Sequence, residues 1–286
     1  MQDIEQAQNK EFLQTIANND YQLPEDIDAF AFAKALLPNF ASPDPELRDD
    51  LSYIILGRSI IDDQKLTTEQ LQELLSIATD KEHLFYAIGE ADTDTVFMRS
   101  FSCLIIASIL FNDAPKPQFP ASAIVTTKEK LMHYAQQEKD WRGYVENKGW
   151  AHAMAHLANA LDECAQHPHM SAKDRQDILI GVSKLVTLAT PLYQEEDIRL
   201  AKIPHHMILG HQVEDSFIDK WLEMCAVSRE LDVVSWTRIT NAKNVLRSLY
   251  FLLHWDNIAP LITERISTTL SKLDEVYLEQ KSNDKE

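Results

Sequence analysis

The chain has 286 residues, only six of them glycine, and a formal net charge of −18. Neither G-x-G-x-x-G nor G-x-x-x-x-G-K occurs, which argues against Rossmann and P-loop nucleotide chemistry. The negative charge repels phosphate backbones and anionic lipid, so we expect no nucleic-acid partner. The longest strongly apolar stretch, 101–111, is too short to span a bilayer, so we expect no membrane insertion. The N-terminus lacks the features of a signal peptide, and three widely spaced cysteines predict buried free thiols without disulfides. The expected location is the cytoplasm.

Apolar residues recur at helical spacing along most of the chain, as in the stripe within 71–78. Helix-start signals agree with this spacing, and Thr67 with Gln70 forms a predicted capping box. The predicted helices are 3–18, 24–37, 45–61, 67–79, 81–88, 94–112, 120–138, 149–166, 171–190, 196–209, 214–228, 236–254 and 260–279.

The spacing of these helices predicts the fold class. With the short helix 81–88 set aside, helix starts recur about every 23 residues, or about 47 per helix hairpin, close to the period of HEAT and armadillo repeats. The sequence therefore predicts an all-α superhelix of stacked antiparallel hairpins with about 12–13 helices. We expect one solenoid-like domain over 1–280, followed by a frayed, charged tail over 281–286.

The segment 140–156 is the most informative part of the sequence. Its seventeen residues contain two of the six glycines, two of the five tryptophans and two of the ten histidines. Its loop, 140–149, combines aromatic and charged side chains, as ligand sites do. The helix predicted to follow has an apolar core stripe composed of Trp150, Met154, Leu157, Leu161 and Cys164. Its opposite, polar ridge contains His152, His156, Asn159 and Glu163.

The spacing of His152 and His156 permits three interpretations of this ridge. Imidazoles at i and i+4 can reach one divalent metal ion, although zinc would need a third protein ligand. The same ridge is also typical of a solvated or hydrogen-bonded helix face, or of a polar groove for a ligand or partner.

Three other polar segments are candidates for a site. Asp49 and Asp50, and likewise the acids of 195–197, fall in first helical turns, where they complement the helix dipole. Asn244 lies beside Asn241 and Arg247 on one face of a late helix, where a solvated surface is the simplest interpretation.

Several of these motifs together resemble a bacterial family, found chiefly in Gram-positive species, that is described as a domain of unknown function. The block Arg142-Gly143-Tyr144-Val145, followed by 148–156 (KGWAHAMAH), is the most specific part. The resemblance spans about 45–255 and includes segments 47–53, 99–102, 196–201 and 244–250. It implies an all-helical bacterial protein. The segment 149–152 is also similar to the G-x-A-H-G element of lanthionine-cyclase-like helical toroids, but lacks the glycine after the histidine.

Two functional hypotheses follow. The first is a binding or scaffold module that holds a protein or peptide in a polar groove lined by Arg48, Asp49, Arg142, Tyr144, Trp150, His152, His156, Asp197 and Arg199. The second is an enzyme in which His152 and His156 act as metal ligands or acid–base groups, with Asp49, Asp50 or Glu196 as their partners. A structural alternative is that the arginines form ion pairs and caps that fix the loops between helices.

Overall fold

The computed structural model of the protein describes residues 2–62, 65–228, 230 and 232–278. The fold is all-α, which confirms the class predicted from the sequence. The chain divides into two compact units, Met1–His169 and Met170–Glu286. The single domain over 1–280 and the superhelical stacking of hairpins stay predictions, and the predicted tail 281–286 lies outside the described residues.

The first unit contains eight of the described α-helices, together with one 3₁₀ helix, one π-helix and a two-stranded hairpin. The α-helices are α1 (Gln2–Ala7), α2 (Lys10–Asn18), α3 (Ala29–Leu36), α4 (Ile54–Ile61), α5 (Thr68–Ala78), α6 (Thr95–Asp113), α7 (Ala121–Gln137) and α8 (Ala153–Gln166). The 3₁₀ helix is Leu37–Ala41, the π-helix is Glu46–Tyr53, and the strands are β1 (Tyr144–Val145) and β2 (Gly149–Trp150).

The core of the first unit forms where α6 packs along α8. Helix α6 is apolar on nearly all sides, as expected for a helix surrounded by other helices. Small residues of α8, including Ala155 and Ala158, are fully buried and let the two backbones approach closely. Among the described residues α6 is the one helix long and apolar enough to cross a membrane, and 78% of its apolar window is buried inside the fold.

In the second unit α10 packs on α12, α12 packs on α13, and α9 packs on α11. Its helices are α9 (Ala172–Val186), α10 (Glu196–Leu209), α11 (Asp215–Cys225), α12 (Val233–Asp256), α13 (Pro260–Leu273) and α14 (Glu275–Leu278). A capping box of Ser171 and Asp174 starts α9. The predicted buried thiols are confirmed, because all three cysteines are buried and none belongs to a disulfide.

The predicted helix at 81–88 is wrong, because residues 81–89 form consecutive turns. The fully buried Arg99 of α6 explains the difference. Its Nη1 donates to the carbonyl oxygens of Tyr86 (3.0 Å) and Ala87 (3.4 Å), which therefore point away from a helical ladder. Ala87 also has a φ of +46°, outside the right-handed helical region.

Other predicted helices differ at their boundaries. The helix predicted over 3–18 is two helices separated by the cap residue Asn9, and the one over 45–61 is a π-helix continued by α4. The helix predicted from 149 begins only at Ala153, because Gly149 and Trp150 belong to the hairpin. The helix predicted over 260–279 ends at Leu273, and residue 279 lies outside the described residues.

Candidate functional site

The segment 140–156 forms a short hairpin that leads into α8. Tyr144 pairs with Trp150, and Val145 pairs with Gly149, in antiparallel register. Left-handed backbone at Asn147 (φ +62°) and Gly149 (φ +77°) closes the turn. Asn and Gly adopt this conformation at low cost, which explains the residue types found at these two positions.

After the hairpin the chain enters α8 through a third left-handed residue, His152, whose φ is +48°. The carbonyl oxygen of Gly143 accepts hydrogen bonds from the backbone N–H groups of Ala151 (2.7 Å) and His152 (3.0 Å). These bonds hold the backbone away from helical geometry. Trp150 therefore lies outside the helix and is 40% exposed, so its predicted place in the core stripe is wrong.

The hairpin lies directly on the π-helix. A Cβ atom placed on Gly149 would come within 2.7 Å of Pro45 Cβ and 3.4 Å of Arg48 Nη2. Only glycine fits here, because the space and the backbone conformation both exclude a side chain.

Arg48 binds the hairpin backbone on its buried side. Its side chain is fully buried, and Nη2 donates to the carbonyl oxygens of Lys148 (2.9 Å) and Trp150 (3.4 Å). Nη1 donates to the Ser42 carbonyl oxygen at 2.7 Å. The guanidinium also stacks on Phe97, 4.0 Å from the ring centroid, in a cation–π contact. Arg48 therefore joins the chain before α4 to the loop before α8.

The carboxyl group of Asp49 lies next to the buried guanidinium of Arg48. Its Oδ1 lies 2.6 Å from Arg48 Nε, in an ion pair that lacks hydrogen-bond geometry. Burial raises the pKa of Asp49 to about 6, and the attraction of Arg48 offsets only part of that effect. The side chain remains 26% exposed, so its proton can exchange with solvent close to neutral pH.

Aromatic rings form a continuous series of contacts from the hairpin surface into the core. Tyr144 meets Trp150 edge-on at 5.1 Å, and Trp150 stacks on His152 at 4.2 Å with only 5° between the planes. His152 lies 5.5 Å from His156, which meets Phe101 edge-on at 5.2 Å. The structure thus brings together the two histidines that the sequence singled out, although only His156 lies in a helix.

His156 and Ser100 form a buried hydrogen-bonded pair, with Nδ1 and Oγ 2.7 Å apart. The Ser100 hydroxyl donates its proton to the carbonyl oxygen of Ala151, so His156 donates to Ser100 from Nδ1. An activated serine nucleophile needs the opposite direction of donation. This pair therefore positions the start of α8 against α6.

The two cations of the segment 140–156, Arg142 and Lys148, are engaged in ion pairs. Arg142 forms a two-point contact with Asp140, with Nε–Oδ1 at 2.7 Å and Nη2–Oδ2 at 2.6 Å, and it also donates to the Thr93 carbonyl oxygen. Lys148 binds Asp94 at 2.7 Å. These pairs fix the loop before β1 and the start of α6 to the hairpin.

Two predicted groove residues, Asp197 and Arg199, lie in the second unit. Asp197 Oδ2 accepts a hydrogen bond from the Ser248 hydroxyl at 2.7 Å. Arg199 Nη1 donates to the Glu195 carbonyl oxygen at 3.3 Å, within its own helix terminus. The remaining predicted groove residues all belong to the first unit.

The arrangement of possible metal ligands among the described residues does not support a metal centre. Within the described ranges, no three His, Cys, Asp or Glu side chains lie close enough together to hold a metal ion. A protein zinc site needs at least three such ligands.

Sequence reasoning missed the roles of Pro45, Phe97, Ser100 and Phe101. The segment 99–102 belongs to the resemblance, but its apolar surroundings are equally typical of a core helix. Nothing local links it to His156, because the Ser100–His156 pair spans 56 positions.

Fold and site together define an all-α protein with an aromatic hairpin anchored by a buried arginine. The chain belongs to the DUF2785 family, described as a protein of unknown function, whose model matches residues 84–251. The match contains the hairpin, Ser100, Asp197 and Arg199, whereas Arg48 precedes it. No curated protein and no solved structure shows significant similarity to the chain.

Proposed function

We propose that the protein is a cytoplasmic binding module whose first unit recognises a basic peptide or protein segment through the aromatic hairpin. The observation that carries the proposal is the exposed stack of Trp150 on His152, with Tyr144 edge-on beside it. Trp150 and Tyr144 are 40% and 51% exposed. Exposed tryptophan and tyrosine are the residue types most enriched at interaction hot spots.

The rigidity of the hairpin supports this proposal. Arg48 and the close approach of Gly149 to Pro45 hold the backbone under Trp150, and His152 covers one face of the indole ring. A binding surface that is already ordered loses little conformational entropy when a partner binds. The buried contacts of the hairpin thus hold its exposed aromatic residues in position before a partner binds.

Charge near the hairpin favours a cationic partner. Lys148 is bound to Asp94 and Arg142 to Asp140, whereas Glu146 is exposed to solvent and Asp92, although 4.0 Å from Arg142, is 90% exposed. The net charge of −18 adds a long-range attraction for a basic segment. A lysine or arginine side chain over the Trp150 ring would gain a cation–π contact in addition.

The test is binding to an array of short peptides that vary in lysine and arginine content, measured by fluorescence anisotropy at two salt concentrations. We expect basic peptides to bind more weakly at high salt, and Trp150→Ala to weaken binding about tenfold through loss of the cation–π and stacking contacts.

Tyr193→Ala is the matched control, because Tyr193 is an exposed aromatic residue of the second unit. It should leave peptide binding unchanged. Equal binding by the wild type and Trp150→Ala, or a preference for acidic peptides, would overturn the proposal.

A further inference from the structure

A cleft of about 270 Å³ lies in the second unit, between the start of α10 and one face of α12. Asp197 lines it from α10, and α12 contributes Asn244, Arg247, Ser248, Phe251 and Trp255. Each of the five α12 residues lies three or four positions from at least one of the others, so together they share one face of the helix. A single rigid helix therefore presents polar groups at one end of the cleft and aromatic rings at the other.

The aromatic end is an open platform. Phe251 and Trp255 lie with ring centroids 5.6 Å apart and 30° between their planes. Phe251 is half exposed, and Trp255 is 70% exposed. Such large exposed aromatic rings side by side are unusual unless a ligand or partner covers them.

The polar end of the cleft offers both hydrogen-bond donors and acceptors. Its acidic and basic side chains balance one another in charge. Asp197 accepts from Ser248 at 2.7 Å, and Arg247 Nη2 contacts Asp274 at 3.2 Å, which leaves most of the five guanidinium donors for other partners. In the described part of the chain, the half-buried amide of Asn244 makes no hydrogen bond to protein. An amide in this state has a donor and an acceptor ready for a ligand.

We propose that this cleft binds a neutral saccharide. A pyranose ring has one apolar C–H face, which suits the electron-rich faces of Trp255 and Phe251, and a rim of hydroxyl groups that both donate and accept. Asn244, Asp197 and Arg247 supply the complementary hydrogen bonds. Balanced charge in the cleft favours a neutral ligand, and the net charge of −18 disfavours a phosphorylated one.

Ligand-detected NMR on the full chain tests the proposal with maltose, cellobiose and N,N′-diacetylchitobiose as probes. We expect at least one of these disaccharides to bind. Trp255→Ala should weaken that binding about tenfold, because one stacking contact is lost. The side chain is mostly exposed, so its removal leaves no cavity in the core.

Two further variants make the outcome decisive. Asn244→Ala should weaken the same disaccharide through lost hydrogen bonds, and Trp236→Ala, which changes a tryptophan of α12 outside the cleft, should leave its affinity unchanged. The proposal is overturned if no disaccharide binds, or if Trp255→Ala and Asn244→Ala both bind like the wild type. Binding of adenosine or of a hydrophobic peptide in place of every disaccharide also overturns it.

Discussion

Arg48 Nη2 and the carbonyl oxygen of Lys148 are joined by a 2.9 Å hydrogen bond across one hundred positions of the sequence. This bond places a guanidinium charge beneath a surface hairpin, where it holds the backbone that presents Trp150. The contact links stability to the candidate binding surface, because a loss of the anchor also frees the exposed aromatic rings.

Arg48→Lys should destabilise the protein by about 3 kcal/mol. An ammonium group cannot reproduce the planar fork that reaches three carbonyl oxygens, so these part-buried hydrogen bonds would be lost. Urea denaturation followed by circular dichroism measures the change. Arg199→Lys is the control, since Arg199 donates to one exposed carbonyl, and its effect should stay within about 0.5 kcal/mol. Equal stability of Arg48→Lys and the wild type would contradict the anchoring role.

Gly149→Ala and Gly57→Ala should change stability in opposite directions. At Gly149 a Cβ atom meets Pro45 at 2.7 Å with φ at +77°, so we expect a loss of about 1–3 kcal/mol. At Gly57, inside α4, no atom other than those of the adjacent residues and the local helix backbone lies within 4 Å of the added Cβ, so alanine should add about 0.5–1 kcal/mol through helix propensity. Thermal unfolding of both variants measures the signs, and two losses of similar size would refute the close approach.

The stability of the fold should depend on pH through Asp49. Its pKa is about 6 in the folded state and about 4 when unfolded, so between these values the folded state binds more protons. Stability from this group is complete below about pH 4 and is lost as pH rises through about 6. Asp49→Asn should remove this dependence, which denaturation at pH 4.5 and 7 measures.

Asp44→Asn is the control for this pH effect, since the hydrogen bond from Lys10 lowers the pKa of Asp44 below its ordinary value. Asp44 stays ionised over the same interval, so its variant should leave the slope unchanged. A slope that survives Asp49→Asn would assign the effect to another group.

Glu138→Gln should cost far more stability than Glu73→Gln. Glu138 and Arg99 form a fully buried ion pair at 2.6 Å, and without the carboxylate the guanidinium remains buried and uncompensated, at a cost of about 3–5 kcal/mol. Glu73 pairs with Lys34 in solvent, where such a pair is worth about 0–1 kcal/mol.

Amide hydrogen exchange adds a local readout for the Arg99 pair. Since Arg99 also holds the Tyr86 carbonyl, exchange should accelerate across 81–89 in Glu138→Gln and stay unchanged in Glu73→Gln. Unaltered protection of this segment in Glu138→Gln would contradict the role given to Arg99.

Local signals predicted most of the helices, and distant contacts explain the failures. The capping box of Thr67 and Gln70 forms as expected, because its hydrogen bonds join residues three positions apart. At 81–88 the apolar spacing is helical, but Arg99 captures the carbonyl oxygens from another helix. The pattern of residues within 81–88 gives no indication of these contacts with Arg99.

The same distinction applies to the candidate site. The composition of 140–156 pointed to the hairpin segment, and His152 and His156 do lie together. The start of α8 was misplaced because the Gly143 carbonyl captures two backbone N–H groups beyond Trp150. The contact of Arg48 with the hairpin depends on tertiary folding, so spacing along the chain could not predict it.

The anchoring of the hairpin also determines which fragments of the protein can retain the aromatic surface. The family match begins at residue 84, after both Pro45 and Arg48. A fragment limited to 84–251 would keep Trp150 but lose the guanidinium and the proline ring on which its strand rests. The minimal piece for expression that preserves the aromatic surface must therefore begin ahead of the π-helix, well outside the boundaries that sequence similarity alone would suggest.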